Sequence, residues 1–552
     1  MAHQPGAVFT KEVFEDRGAS LDDEPRRVHV RLMHRIHTCR TAVVRWFHAQ
    51  RLGLWMVLVT MLLSHSRHRA DKGAELQAIK RQVSTMDDYH ITIVTTAALP
   101  WMTGTAVNPL LRAAHLARAG KRVTLSVPWL HPTEQGLIFP GGRRFESPVG
   151  QEAFIRSWLA DRAGVKANFK LTFYPARYNK FHRSILPLGD ITRFFDETEC
   201  DICVLEEPEH LTWYHRGPNW RHRYKLVVGI VHTNYLYYAL TMPGGGHIQA
   251  ALLKPLNILL TAAYCDKVIK LSEALQPFPR AVVCNVHGVR SEFIDIGRRA
   301  SAPYHRFRKG AYFLGKVLWA KGYDFLIDYL ARQREQAERA GQPLLHIDVY
   351  GGGEDLHAVR AAAAAARLDL TFHAGIDHAS SALREYKVFI NPSVSEVLST
   401  ATAEALAMGK FVVLKRHPSN AFFFKFANAL PFETPDEFLD ALTAALASQP
   451  APLTLEERRA LSWEGATDRF VDALSNCSVR EMLPTLADHT ARWVHHGVHN
   501  AGYLSDAFRF VSGGGPISKQ TWMGASRFAA APPTEIVEHS VAYSPGVWRD
   551  AA

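Results

Sequence analysis

Two glutamates eight residues apart are the side chains in this sequence best placed to do chemistry. Glu396 follows the apolar run 386–390 through a serine-containing loop, and Glu404 lies in an Ala-rich segment that ends at Gly409. On a single helix, eight residues at about 100° each would leave the two carboxylates roughly 80° apart. A loop followed by a helix would instead point both into the crevice beyond the carboxyl end of a strand, where open α/β sheets bind ligands.

The start of that helix adds a possible anion site. Ser399 and Thr400 are both suitable N-cap residues, and a helix N-terminus offers free backbone N–H groups to a phosphate. Taken alone, the segment also fits two ordinary surface glutamates near a helix start.

Two lysines follow an upstream strand. The short apolar run 310–315 ends in Gly315, and Lys316 and Lys321 come next, before a helix that we expect to begin near Tyr323. Lysine is a compact cation suited to phosphate oxygens, and glycine lets the backbone approach a bulky anion. Solvated surface charge is the alternative, but the lysine and glutamate features, 75 residues apart and both at strand ends, favour one common site.

Both features resemble those of retaining glycosyltransferases of the GT-B type, family 4. Seven segments occur in the order found in plastid digalactosyldiacylglycerol synthases and resemble them closely over about residues 88–475: VTTAALPWMTGTAVNPL, EEPEHLTWY, GIVHTNYL, AYCDKV, VVCNVHGV, GAYFLGKVLWAKGY and ATAEALAMGKFVV. The resemblance implies an α/β GT-B fold, in which two Rossmann-like domains face a central cleft, with a basic N-terminal arm and a helical C-terminal tail.

The same resemblance implies an activity and assigns the donor side of the site. It implies transfer of galactose from UDP-galactose to monogalactosyldiacylglycerol with retention of configuration. No Asp-x-Asp motif stands at a predicted strand end, and lysines could neutralise a diphosphate, so we expect chemistry without a metal ion or a cofactor. Lys316 and Lys321 would hold the diphosphate, Glu404 the ribose hydroxyls and Glu396 the donor sugar, as a catalytic residue. Thr400, at the helix start, would contact the donor as well.

In the first domain, the resemblance places His232 at the reacting centre. It also implies that Gly104 lets a loop of this domain close over the phosphates of the donor. Glu207, His210 and Trp213 follow a predicted strand and are candidates for contact with the sugar acceptor, because sugar hydroxyls favour carboxylates and a ring face favours an aromatic side chain. Acids clustered at a strand end could also be general acid/base residues, or the solvated face of a loop.

Composition fits a large folded core with free thiols. A chain of 552 residues with 47% hydrophobic content can form two or three domains. Its six cysteines have no spacing typical of a disulfide scaffold, which favours a reducing compartment.

The net charge of +11 is concentrated in one arm. Residues 25–69 contain nine arginines and no acidic residue, and they include an apolar run at 52–63. As a helix at about 1.5 Å per residue, that run would reach only about 18 Å, against a hydrocarbon core of about 30 Å, so it is too short to span a bilayer.

The arm fits three functions and an inert tail. An Arg-rich, acid-free start is typical of organelle targeting, and a basic segment beside an apolar run suits an anionic membrane surface. Nucleic-acid binding needs more than basic charge, and we expect no nucleic-acid partner. Together with the resemblance, the arm implies a peripheral protein of the chloroplast envelope, on the outer membrane.

The order of strand and helix patterns predicts the domain organisation. We expect the arm at 1–88, an acceptor-side Rossmann-like domain at 89–290, a linker at 291–309, a nucleotide-sugar-binding domain at 310–470 and a helical tail at 471–552. The expected strands are 91–95, 122–127, 202–205, 226–231, 267–271 and 281–284, then 311–314, 345–350, 371–373, 387–390 and 411–414.

Two alternatives to the implied activity stay open. One is a family 4 transferase with another donor or another lipid acceptor. The other is a catalytically silent lipid-binding scaffold, which would not need Lys316, Lys321, Glu396 and Glu404 together.

The arm gives the first testable prediction. Deleting residues 1–70 should reduce cosedimentation with anionic liposomes far more than activity on detergent-dispersed acceptor, because each basic residue near the surface contributes up to about 1 kcal/mol within roughly a Debye length. High salt should weaken the binding of the full chain only in part. A purified plastid protein whose mature N-terminus lies beyond Arg69 would show that the arm only targets.

Overall fold

The computed structural model describes residues 89–180, 183–213, 215, 219–240, 246–302, 304–475 and 485–500. The predictions for the basic arm, its apolar run and the chain beyond residue 500 lie outside these residues.

The first half of the described chain forms an eight-stranded sheet with the order β4-β3-β2-β1-β5-β6-β7-β8. All neighbouring strands are parallel except the pair β3 and β4, which is antiparallel. The strands are β1 (His90–Val94), β2 (Arg122–Trp129), β3 (Lys170–Asn179), β4 (Ser184–Pro187), β5 (Ile202–Glu206), β6 (Leu226–Val231), β7 (Lys267–Lys270) and β8 (Ala281–Val283).

Helices connect these strands and cover the sheet, as parallel pairing requires. They are α1 (Gly104–Arg118), α2 (Pro132–Ile138), α3 (Pro148–Asp161), α4 (Pro208–Trp213), α5 (Trp220–Arg223), α6 (Tyr235–Leu240) and α7 (Gly246–Tyr264). Strands β1, β5 and β6 are buried along their whole length. This explains why they are nearly continuous apolar runs.

The second half forms a six-stranded parallel sheet with the order β11-β10-β9-β12-β13-β14. Its strands are β9 (Lys309–Leu314), β10 (Ile347–Tyr350), β11 (Leu370–His373), β12 (Tyr386–Asn391), β13 (Phe411–Lys415) and β14 (Ala429–Phe432). The helices are α8 (Ser291–Ala300), α9 (Tyr323–Ala340), α10 (Leu356–Ala365), α11 (Ser381–Arg384), α12 (Thr400–Ala407), α13 (Pro435–Ala447), α14 (Leu455–Leu461), α15 (Trp463–Ser475) and α16 (Leu486–Asn500).

All eleven predicted strands are present within a few residues of their expected bounds, and the two parallel-sheet layers of the predicted α/β fold are confirmed. Strands β3, β4 and β14 were not predicted. Pro175 lies in β3 and Pro431 in β14. A proline weakens the sequence evidence for a strand, because it has no N–H to donate to a neighbouring strand. β14 is an edge strand, where a proline is tolerated.

Helix α1 begins at Gly104 and runs to Arg118. Pro109 lies inside it and has no N–H to donate to the Thr105 carbonyl one turn earlier. The Thr95 hydroxyl, at the end of β1, donates to that carbonyl instead. A side chain from the neighbouring strand thus satisfies the acceptor that the proline leaves open.

The segment 291–309, expected to be a linker, contains helix α8. Phe293, Ile294 and Ile296 of this helix are buried in the core of the second domain, and α8 packs against α12. Apolar residues on one face of a short helix explain why it folds with that domain. The exact domain boundary remains a prediction.

After the second domain the chain returns to the first. Trp463, Phe470 and Leu474 of α15 belong to the core of the first domain, and α15 packs against α1. Helix α16 then packs against α7. Two described helices of the C-terminal part therefore lie on the first domain.

A buried ion pair fixes the start of α16. The Asp488 carboxylate pairs with Arg280 and accepts hydrogen bonds from the Thr485 N–H at 2.6 Å and the Thr485 hydroxyl at 2.8 Å. Burial alone would raise the pKa of Asp488, but Arg280 and the Thr485 donors outweigh burial and lower it.

Replacing this aspartate should loosen α16. Asp488→Ala leaves the Arg280 guanidinium buried without its carboxylate, which costs about 3–5 kcal/mol for a buried pair that loses one partner. Urea unfolding at neutral pH should show the loss.

The pH dependence provides an independent check. A carboxyl group whose folded pKa is lowered stabilises the fold above its unfolded pKa of about 4 and loses that contribution as the pH falls through the folded pKa. The gap between Asp488→Ala and the unchanged chain should therefore narrow in acid. A gap that is constant with pH would contradict the assigned pairing.

Candidate active site

The candidate donor site is built where two loops of the second domain meet. Lys321 ends the loop after β9, and Glu396 lies in the loop after β12. The Lys321 Nζ is 2.5 Å from the Glu396 Oε1. Gly322 has φ +85°, and a Cβ there would lie 2.7 Å from the Pro392 carbonyl oxygen, so glycine is what lets the two loops approach this closely.

Lys321 and Lys316 differ in their surroundings. Burial alone would lower the pKa of Lys321, but the Glu396 carboxylate outweighs burial and raises it, so the side chain is a cation at neutral pH. Lys316 is exposed, and its side chain has no hydrogen bond or ion pair with any residue that the structure describes. One lysine is thus held in place, and the other is available to an anion.

Glu404 is oriented by a chain of hydrogen bonds. His378 Nδ1 is 2.8 Å from one Glu404 carboxylate oxygen, and His378 Nε2 is 2.6 Å from the Tyr312 hydroxyl. Tyr312 is fully buried, and burial, with the nearby Glu404, raises its pKa well above the usual value. This arrangement fixes one oxygen of Glu404.

The loop that carries Glu396 is held rigid by its own polar side chains. Asn391 Oδ1 accepts from the Ser393 N–H at 3.1 Å, and Ser393 Oγ accepts from the Ser395 N–H at 3.3 Å. Ser399 caps α12 by accepting from the Thr402 N–H at 3.2 Å. Of the two predicted cap residues, Ser399 is therefore the one that caps.

Thr400 is the first residue of α12 and is exposed. Its place at a helix N-terminus is the one expected for a donor contact.

The same loop reaches the first domain. Val397 is buried in the core cluster of the first domain, and Leu398 packs against both core clusters. Tyr237 and Tyr238 of α6 lie close enough to Lys321 to raise its pKa. The donor site of the second domain therefore faces the end of β6 and the start of α6 in the first.

His232, just after β6, is held by a buried carboxylate. Its Nε2 bonds to Glu206, whose other oxygen lies 2.7 Å from the Arg112 Nε. Glu206 is completely buried, which alone would raise its pKa, but Arg112 and His232 outweigh burial and lower it. A charged carboxylate thus orients the histidine that the resemblance places at the reacting centre.

His287 lies beside His232, with their ring centroids 5.0 Å apart. Burial, followed by repulsion from His232 and two arginines, lowers the pKa of His287 well below the usual value. The ring is therefore neutral, and it adds no positive charge next to His232.

The acids after β5 are not the solvated face of a loop. Glu206, Glu207 and Glu209 are all buried. Thr96 Oγ1 donates to Glu207 at 3.1 Å, and Thr233 donates to its other oxygen.

The remaining residues of this segment have different surroundings. Burial, followed by the neighbouring Glu207, raises the pKa of Glu209 well above the usual range, so its carboxyl is neutral. His210 Nε2 lies 2.7 Å from the Ile185 carbonyl oxygen, which ties that ring to β4, and Trp213 ends α4 and is half-buried.

Gly104 is the first residue of α1, after the N-cap Thr103, and it is exposed. This places its N–H at the start of a helix whose N-terminus follows β1.

The structure joins Lys321 to Glu396 directly, but it gives no direct contact between these residues and Glu404, Lys316 or His232. Three features of the site were not predicted from the sequence: the contact of Arg112 with Glu206, the contact of Glu206 with His232, and the contact of His378 with Glu404. A single arginine within the otherwise apolar run 110–114 was the available signal for Arg112, because a buried arginine needs a carboxylate.

Within the described ranges, no group of three or more His, Cys, Asp or Glu side chains could hold a metal ion. Every helix in that part of the chain is too short or too polar to cross a membrane.

Two Rossmann-like parallel sheets in one chain define the GT-B class of fold, and the Lys321–Glu396 pair lies after strands of the second sheet. The family described as "Glycosyl transferases group 1" matches residues 308–448, which include that site. The chain belongs to the digalactosyldiacylglycerol synthase family.

Family membership rests on two kinds of relative. The chain is 46% identical to digalactosyldiacylglycerol synthase 2 of Arabidopsis thaliana over 395 residues, 70% of this chain and 82% of that protein. It is 50% identical to digalactosyldiacylglycerol synthase 1 of Lotus japonicus over 419 residues, 75% of this chain and 52% of that protein. The chain thus spans about half the length of the synthase 1 relatives it matches.

Among solved structures, the chain is similar to a sucrose-phosphate synthase from Thermosynechococcus elongatus, with 14% identity, a TM-score of 0.44, and coverage of 69% of this chain and 97% of that one. A likeness this weak supports no statement about the site.

The lysine pair gives a prediction about anion binding. Lys321→Ala should weaken UDP binding and lower turnover while the fold is kept, because charge-assisted contacts of this kind contribute about 2–4 kcal/mol to electrostatic catalysis. Lys321→Arg should fall between. Lys166→Ala, which removes an exposed lysine of the first domain, is the matched control.

Calorimetry with UDP and steady-state kinetics measure the two effects. Equal turnover of Lys321→Ala and the unchanged chain across protein concentration and pH would refute the diphosphate assignment.

Proposed function

We propose that this protein transfers galactose from UDP-galactose to the galactose of monogalactosyldiacylglycerol, with retention of configuration, and makes digalactosyldiacylglycerol. The observation that carries the proposal is the Lys321–Glu396 contact at the meeting point of two strand-end loops, in a chain of this family. The family name supplies the product class, and the site supplies groups for the chemistry.

The donor's charge would be met by lysines. Lys321 is held in place as a cation, and Lys316 is exposed beside it, so a diphosphate entering here would meet two positive charges. The exposed N–H groups at the start of α12 add donors for a phosphate oxygen. This set neutralises a leaving diphosphate without requiring a metal ion.

Two carboxylates would bind the two other parts of the donor, its ribose and its sugar. Glu404 keeps one oxygen on His378 and has the other available for the ribose hydroxyls. Glu396 is partly exposed in a loop fixed by Asn391 and Ser393, and its carboxylate would accept from hydroxyls of the donor galactose. Rigid placement of both groups lowers the entropic cost of orienting the sugar.

Bond making and breaking would occur on one face of the donor sugar. The acceptor hydroxyl attacks the anomeric carbon as the bond from that carbon to the diphosphate oxygen breaks, and the hydroxyl proton passes to the departing diphosphate. No protein nucleophile is required. His232, oriented by Glu206, would line this centre and hydrogen-bond to the reacting sugars.

On the acceptor side, Glu207 and Trp213 are proposed to contact the head group, and Gly104 to let the loop before α1 approach the phosphates. Because His210 contacts the Ile185 carbonyl oxygen, we propose that its ring supports the segment 207–213 and does not contact the acceptor. The relatives are named chloroplastic, and we propose a peripheral place on the outer envelope membrane, on an anionic surface.

The test is a transfer assay on the purified full chain. Radiolabelled UDP-galactose, UDP-glucose and UDP-N-acetylglucosamine are each offered with monogalactosyldiacylglycerol, with diacylglycerol and with no lipid, and the linkage of the product is determined. Label should enter lipid only with UDP-galactose and monogalactosyldiacylglycerol, in an α-linkage. Transfer of another sugar, or to another lipid, would identify a different family 4 transferase; no transfer at all would favour the silent scaffold.

Two variants test the division of roles in the same assay. Glu404→Gln should mainly raise the KM for UDP-galactose, and Glu396→Gln should mainly lower kcat, since the first is assigned to the ribose and the second to the reacting sugar. Glu338→Gln, on the exposed face of α9, is the control. Equal effects on both parameters in both variants would remove the division.

A further inference from the structure

One surface of the first domain presents large apolar side chains to solvent. Ile248 and Leu252 of α7 are 72% and 69% exposed, and Leu240 at the end of α6 is 46% exposed. Ile248, Leu252 and Pro255 are spaced four and three residues apart, so they share one face of the helix. Contiguous exposed apolar residues of this size mark an interaction site rather than ordinary surface.

The charges of this surface suit a lipid bilayer. Helices α6 and α7 contain no acidic residue, and Lys254 is the only lysine or arginine in them. Lys254 is exposed and, two residues after Leu252, lies about 160° from it around the helix, on the more polar side. A helix with an apolar face, a basic residue and no acid is typical of segments that lie in the membrane interface.

The surface is continuous with the candidate active site. Tyr237 and Tyr238 of α6 lie close to Lys321, and α6 packs against α7. Gly246, the first residue of α7, lies so close to the Ala239 carbonyl that no side chain fits there. The apolar surface therefore begins beside the donor site and extends along α7.

We infer that α6 and the first half of α7 form a lipid-docking surface, which rests on the bilayer beside the opening of the cleft. A lipid acceptor would then keep its acyl chains in the membrane while its head group enters the site. The inference rests on the proposed function for its acceptor, but binding to the bilayer does not depend on turnover. Tyr237 and Tyr238 of α6 fit this position, because tyrosines favour the membrane–water boundary.

This surface is distinct from the basic arm. The arm would act through arginines, whose attraction to anionic lipids is screened by salt. The α6–α7 surface would act by burying aliphatic side chains, which salt does not screen. Neutral vesicles at high salt remove the contribution of the arginines, and the comparison of variants that share the same arm, with its apolar run 52–63, isolates the contribution of α7.

The experiment uses the full-length double variant Ile248→Glu/Leu252→Glu and vesicles of phosphatidylcholine, with or without phosphatidylglycerol. Leu455→Glu, at an 80% exposed position on α14 of the other domain, is the matched control. The double variant and the control replace only exposed side chains, so both should keep the fold. Circular dichroism and UDP binding check this. Ile248→Ser/Leu252→Ser repeats the test without new charge.

Binding of the Glu double variant to phosphatidylcholine vesicles at high salt should fall about tenfold or more, since the shallow burial of two aliphatic side chains is lost. Leu455→Glu should bind as the unchanged chain does. Transfer to acceptor embedded in vesicles should fall more than transfer to detergent-dispersed acceptor.

Vesicle binding of both double variants equal to that of the unchanged chain would overturn the inference. So would self-association of the unchanged chain, without vesicles, that the double variant abolishes while vesicle binding persists, because the surface would then be an interface between two copies. If no protein transfers galactose in any assay, the proposed function fails, and the vesicle measurements still decide whether this surface binds lipid.

Discussion

The buried carboxylate of Glu206 is the constraint on which the arrangement of the site depends. Glu206 is the last residue of β5, and a buried charge there is stable only if a partner compensates it. Its partners are Arg112 of α1 and His232, just after β6. Arg112 also donates to the Val286 carbonyl oxygen at 2.8 Å and lies over the rings of Trp463 and Phe470. The residue that neutralises the charge thus contacts the helix that returns from the second domain.

This network connects the orientation of His232 to the way the two domains are joined. Trp463 packs on His115 and His287 as well as under Arg112, and Arg469 of the same helix donates to the Asn285 carbonyl oxygen at 2.6 Å. On the other side of the site, Val397 carries the Glu396 loop into the core of the first domain. The Glu396 loop and His232 are therefore both positioned by contacts that cross between domains.

The positions of eleven strands, and a common site for Lys321 and Glu396, could be predicted from the sequence because each signal is local. An apolar run, a glycine and a lysine lie within a dozen residues of each other, and parallel pairing brings strand ends to one edge. The strands that contain Pro175 and Pro431 were not predicted. The sequence shows that each proline lacks an N–H, but it does not show the place in the sheet where that loss is tolerated. Helix α8 was missed for a similar reason, since its apolar face is short and is stabilised only by α12.

The partners of the site residues could not be predicted, because they are separated by long stretches of chain. His378 meets Glu404 across 26 residues and Tyr312 across 66, and Arg112 meets Glu206 across 94. What the sequence does show at such positions is an inconsistency: a charged residue inside an otherwise apolar pattern. A buried charge is rarely retained without a partner, so each such position predicts that a partner exists, while only the fold identifies it.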